Sequence, residues 1–241
     1  MREARSNSNV PLRSLRRLMQ TPSRQVAAAV EHCDLCQEVL APNHRHLLDL
    51  SKSTLICTCT ACFLLFNKEG AGGHKYHIIP NRFLALPHFH MSDGEWDDLM
   101  IPVNIVFMYR STGSKPVTAY YPGPAGATES LLSLESWSML MQNNPVLQTL
   151  EHDVEALLIY RVRGVREYYI VPIDVCYELV GLIRRTWRGL SGGDTVWKNI
   201  ADFFARIHAQ AREIEEEQSQ QESHESLPQG EERGADARIE L

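Results

Sequence analysis

The sequence predicts an α+β protein: a small cysteine-rich β domain, zinc-ribbon-like or Rieske-like, followed by an α+β domain with antiparallel hairpins and two C-terminal helices. Three observations carry this expectation. Five of the six cysteines crowd into residues 31 to 66 among short apolar runs. Two longer β-rich segments each flank a turn, and the last apolar stretches before residue 210 repeat at helical spacing. With 241 residues and 44% hydrophobic content the chain is long enough to bury a core.

Residues 1 to 30 are rich in Arg, Ser and Pro and read as a flexible basic arm, with Leu12, Leu15 and Leu18 spaced for a short helix. Residues 31 to 92 form the metal-binding β domain, in which "RHLLDL", "STLICTC", "CFLLF" and "KYHIIP" read as short antiparallel strands. Residues 93 to 208 form the α+β domain. Ser92 and Glu95 stand at capping-box spacing before its first helix. "IPVNIVFMYRSTGSKPVTAYYP" reads as one hairpin and "LESWSMLMQNNP" as a short helix. "VEALLIYRVRGVREYYIVPI" reads as a second hairpin turning near Gly164, with strands apolar enough for burial on both faces.

Two helices close this domain, Asp174 to Arg188 and one starting at "GGDTVW" with Asp194 as N-cap. On the second, Val196, Ile200, Phe203, Phe204 and Ile207 make one apolar stripe. Residues 209 to 241 are acidic, poor in apolar side chains and expected to be disordered. The net charge of -6 implies no partner, and no basic, aromatic-interleaved face points to nucleic acid. No apolar run reaches the roughly 18 residues of a membrane span. The Arg16-Arg17 pair lacks the apolar region of an export signal, so a cytoplasmic location is expected.

The chemistry lies in Cys33-x2-Cys36, then Cys57-x-Cys59-x2-Cys62. A C-x-x-C turn places two sulfurs on one side of a tight loop, and two such turns facing each other offer four thiolates to a metal. A reducing compartment favours metal binding over disulfides. Cys33, Cys36, Cys59 and Cys62 are therefore the expected ligands. Cys57 is a fifth ligand, a switch ligand or a buried strand residue.

Zinc and an iron-sulfur cluster both suit four thiolates, the cluster as a [2Fe-2S] centre, and the ligands by themselves do not choose between them. "LICTCTACFLLF" with "YHIIPNRFLALP" resembles the second Rieske ligand loop, except that Cys62 stands where the family has histidine. His74, His77, His88 and His90 crowd together, and His88 and His90 would share a face on a strand, although surface roles suit all four better. His44 and His46 lie between the cysteine pairs. Cys176 reads as core. The loops "YYPGPAGATES" and "WRGLSGGD" read as turns, and no nucleophile motif is present.

The segments "CDLC", "HRHLLDL", "LICTCTACFLLF", "YYPGPAGATESLLSLESW", "NPVLQTLEHDVEALLIYR" and "VPIDVCYELVGLIRRTWRGLSGG" together resemble a bacterial family encoded beside high-affinity, oxygen-tolerant nickel-iron hydrogenases of the actinobacterial type. The resemblance spans roughly residues 31 to 208. It implies an iron-sulfur or accessory protein serving those enzymes, with hydrogenase subunits or a respiratory electron acceptor as partner. The expected function is electron transfer rather than catalysis by the chain itself. A zinc-ribbon assembly factor with a structural zinc on four cysteines is the alternative.

Overall fold

The computed structural model describes residues 30–66, 75–99, 101, 104–113, 115–130 and 134–213. The expected helical turn at Leu12 to Leu18, nearly all of the basic arm, His74 and the acidic tail beyond Glu213 lie outside the described residues. The chain is a mixed α+β protein that divides into two compact units between Ile79 and Pro80. That division precedes the expected one at residue 92, for a reason given by strand pairing below. No helix among the described residues is long and apolar enough to cross a membrane.

The first unit holds a three-stranded antiparallel sheet in the order β2-β1-β3, from β1 (Arg45–Asp49), β2 (Thr54–Thr58) and β3 (Tyr76–Ile78). "RHLLDL", "STLICTC" and "KYHIIP" thus supply strands as expected. "CFLLF" does not: it belongs to helix α1 (Thr60–Phe66). A continuous apolar run of this length has no period that separates helix from strand, and here the backbone of Cys59 decides, its carbonyl accepting the Phe63 N–H at 2.9 Å. Among the described residues of this unit the buried apolar side chains are Cys33, Leu47, Leu48, Cys62, Phe63 and Ile79.

The second unit is built on a seven-stranded sheet in the order β10-β4-β9-β8-β5-β6-β7. Its strands are β4 (Leu84–Ala85), β5 (Ile105–Arg110), β6 (Val117–Gly123), β7 (Gly126–Ser130), β8 (Glu155–Tyr160), β9 (Glu167–Pro172) and β10 (Arg212–Glu213). Every pairing is antiparallel except that of β10 with β4. Both expected hairpins form. The second turns through Arg163 and Gly164, both with positive φ, as a tight primed turn requires. Its strands are buried on both faces. β4 pairs with β9, Leu84 opposite Ile170, and this draws residues 80 to 92 into the second unit.

Helices cover the two faces. One is packed by α2 (Asp93–Asp98), α3 (Leu134–Asn143) and a 3-10 turn (Pro145–Thr149), with Trp96, Trp137, Leu140 and Leu147 set against Val106, Met108, Leu157 and Ile170. The other carries α4 (Ile173–Thr186) and α5 (Gly193–Gln210), whose Phe204 meets Tyr160 and Tyr169. The stripe Val196, Ile200, Phe203, Phe204 and Ile207 is buried as expected. The capping box of Ser92 and Glu95 is complete. Cys176 is fully buried, and burial pushes its thiol well up.

Two local expectations fail. The N-cap of α5 is Gly192 rather than Asp194. Gly192 has φ +86°, and an added Cβ would stand 2.6 Å from Val196 Cγ1, so only glycine admits the chain there. The loop "PGPAG" is a turn as expected, joining β6 directly to β7 with Gly123 opposite Gly126. Finally, β10 forms within the stretch expected to be disordered, its Arg212 N–H donating to Phe83 O at 3.0 Å.

A buried ion pair anchors the start of this unit. Glu155 is wholly buried, and Arg82 grips it in bidentate fashion, Nε donating to Oε1 at 2.7 Å and Nη2 to Oε2. Arg82 Nη2 also donates to Thr149 O at 2.8 Å, and the Glu151 N–H to Glu155 Oε2 at 3.0 Å. The carboxylate is therefore supplied with donors despite its burial.

Candidate metal centre

Four sulfurs converge in the first unit. The donor atoms of Cys33, Cys36, Cys59 and Cys62 all lie within 4.8 Å of one another. Each pair reaches this point by its own local logic. Cys33 to Cys36 occupies a tight turn in which the Gln37 N–H donates to Cys33 O at 2.8 Å and the Cys33 N–H to Glu38 O at 2.8 Å. Gln37 takes positive φ to reverse the chain, and a bridge between His32 and Val39 closes the loop. The second pair lies at a strand-to-helix junction. Cys59 follows β2 and caps α1, its Sγ accepting the Cys62 N–H at 3.4 Å. Three residues apart at a helix start, Cys59 and Cys62 face the same way.

Asp34 locks the two loops in register. Its N–H donates to Cys57 O at 2.9 Å, and its Oδ2 accepts the Cys57 N–H at 2.6 Å. This residue was not singled out in the sequence because an acidic side chain inside a C-x-x-C loop reads as solvated. The spacing C-D-x-C is its only signal.

The electrostatics suit a cation. None of the six cysteines is in a disulfide. Burial alone would raise the Cys33 thiol, but N–H groups of Cys59, Cys36 and Leu35 stabilise its thiolate and hold it down at about 6. The Glu38 N–H favours the Cys36 thiolate, yet the sulfurs of Cys33 and Cys59 leave it above its usual value. Burial, together with the three neighbouring sulfurs, pushes Cys62 far up. One thiolate is thus favoured and further ionisation is opposed by like charge. A metal ion removes that opposition, as coordination deprotonates thiols outright.

Separation speaks to the kind of ion. Cys36 and Cys59 Sγ stand 3.6 Å apart. Two thiolates at 2.3 Å from one tetrahedral zinc are about 3.8 Å apart. A cleft of about 520 Å³ lined by Cys36, Cys59, Glu38, His44 and Arg45 borders the sulfurs and leaves Cys36 exposed.

Cys57 does not join the four. It sits on β2 directly opposite His46, and its sulfur groups with His44 and His46 instead. Burial and the carboxylates of Asp34 and Glu31 raise its thiol. His88 and His90 are not on a strand: both are exposed in a loop, where the His90 N–H donates to Asn144 Oδ1 at 2.7 Å. His77 lies on β3, opposite Leu48. The Gly-rich loop at residues 189 to 193 is a turn closed by the Arg188 and Gly192 bridge, with Trp197 Nε1 donating to Ser191 O at 3.0 Å.

No curated protein and no solved structure matches this chain. A family model matches residues 32–211, which take in both cysteine pairs, the seven-stranded sheet up to its last edge and the five helices of the described residues. The chain belongs to the Family of unknown function (DUF5947).

Proposed function

We propose that Cys33, Cys36, Cys59 and Cys62 hold one zinc ion that staples the first unit, in a hydrogenase-associated accessory protein. The compactness of the four sulfurs carries this reading. All lie within 4.8 Å of one another, a spread suited to one ion. A two-iron cluster divides its thiolates between two metal centres, which sets sulfurs on different irons farther apart than sulfurs that share one ion. The burial of Cys33 and Cys62 among Leu47, Leu48, Phe63 and Ile79 supports the same reading, since a structural zinc there supplies folding energy outright.

The second pair lies at a helix start, unlike the second loop of a Rieske-like β domain, and Cys62 replaces the histidine of that resemblance. The hydrogenase association rests on the sequence resemblance. So does the electron-transfer reading, in which a [2Fe-2S] cluster passes electrons between a nickel-iron hydrogenase and a respiratory acceptor. The N–H groups directed at Cys33 favour that role as well, because such donors tune cluster potentials.

The test is anaerobic purification from the native host, with zinc, iron and sulfide measured per chain and a visible spectrum recorded before and after dithionite. One zinc and no colour supports the structural role. Two irons and two sulfides with a band that bleaches on reduction replaces it with electron transfer. Copurification with a tagged hydrogenase subunit tests the association separately, and its failure leaves the metal assignment standing.

A further inference from the structure

We propose that His44, His46 and Cys57 form a second metal site, two imidazoles and one thiolate with an open fourth position, that takes a zinc-class divalent ion. It shares no ligand with the four-cysteine centre, so the two assignments stand or fall separately.

Strand geometry builds the site. His46 and Cys57 are direct partners across the antiparallel β1-β2 pair, so their side chains stand on the same face of the sheet. His44 lies two residues before His46, just ahead of β1, and its ring reaches that of His46. The two rings meet edge to face with centroids 4.7 Å apart. A ring nitrogen of each histidine and Cys57 Sγ lie within 4.8 Å of one another. Zinc with this donor set brings them to about 3.5 Å, so small side-chain rotations complete the site.

An independent observation points to a ligand. The His44 side chain is only 8% exposed, and its Nε2 is buried without a hydrogen-bond partner among the described residues. Nδ1 is committed to Ala41 O at 3.0 Å. A carbonyl oxygen can only accept, so Nδ1 carries the proton and Nε2 presents its lone pair. A metal-bound histidine takes this arrangement, one nitrogen donating to a carbonyl while the other coordinates. Glu31 Oε2 lies 3.6 Å from Nδ1 and adds negative charge behind the ring. A buried imidazole nitrogen with no partner is costly, and coordination removes that cost.

The donor set selects the ion. Imidazole and thiolate together suit zinc and copper and disfavour magnesium and calcium. Three protein ligands leave a position for water or an exogenous ligand, unlike a closed four-thiolate site.

The experiment titrates the full chain with zinc against a chromophoric chelator, and in parallel with cobalt(II) followed by absorbance. Wild type is expected to take two equivalents. In His46→Ala and in Cys57→Ser the first equivalent is retained, while the apparent affinity for the second falls at least about 100-fold, more than the loss of an outer-shell partner produces. The second cobalt equivalent brings a thiolate-to-cobalt band that is absent in Cys57→Ser. Should Cys57→Ser perturb the fold, His46→Ala decides the question, with its first equivalent as the internal control. A second equivalent unchanged in both variants, or a single wild-type equivalent that both variants retain, overturns the proposal, whereas a single equivalent that both variants lose supports it and removes zinc from the four-cysteine centre instead.

Discussion

Cys36 Sγ lies 3.6 Å from Cys59 Sγ, although the two are 23 positions apart in the chain. That contact joins a turn to a helix start and makes each pair dependent on the other. Cys36→Ser and Cys59→Ser are each expected to abolish stoichiometric binding at the four-cysteine centre. Amide exchange should show protection lost in β1 to β3 while the seven-stranded sheet keeps its own. Retention of the metal in either variant would remove that residue from the ligand set.

Acid should release the ion. Cys33 is held down at about 6 in the metal-free site, below its ordinary 9.0, so its thiolate is present above that point and protonated below it. In the metal-free protein this depressed value contributes stability that is complete above about 9 and is lost as pH falls towards 6. Bound metal competes with these protons and moves release lower still. Retention at pH 7.5 and progressive release below about pH 6, followed with a chelating dye, is the expected profile.

Asp34 is a positioning residue. Removing its carboxylate in Asp34→Ala leaves the Cys57 N–H without the acceptor now at 2.6 Å. A cost of about 1 to 3 kcal/mol to the first unit is expected. Metal affinity should fall roughly 10- to 100-fold with stoichiometry unchanged, as for other outer-shell partners. Chelator competition reads this directly, and an unchanged affinity would show that the loops hold their register without Asp34.

The Arg82 and Glu155 pair makes a prediction for the second unit. Arg82→Ala strands a carboxylate that is wholly buried, and a loss of about 3 to 5 kcal/mol is expected in urea unfolding. The double substitution of Arg82 and Glu155 to Met should cost less than Arg82→Ala, because it leaves no buried charge unpaired. If the single and double variants are equally stable, the pair does not anchor the chain.

Elements whose signal is local were determined by the sequence itself. The Ser92 and Glu95 cap, the turns of the two hairpins, the stripe of α5 and the spacing within each C-x-x-C pair depend on residues a few positions apart, where backbone geometry fixes which side chains meet. Tertiary structure decided whatever needed a distant partner. "CFLLF" became helix through the Cys59 cap, and His88 and His90 stayed in a loop because Asn144 holds that backbone. Residues 80 to 92 joined the second unit through β9. Cys57 left the cysteine set for the histidines because the β1-β2 register places it opposite His46. A one-residue slip would have turned it to the other face, and no spacing within a single strand encodes that register.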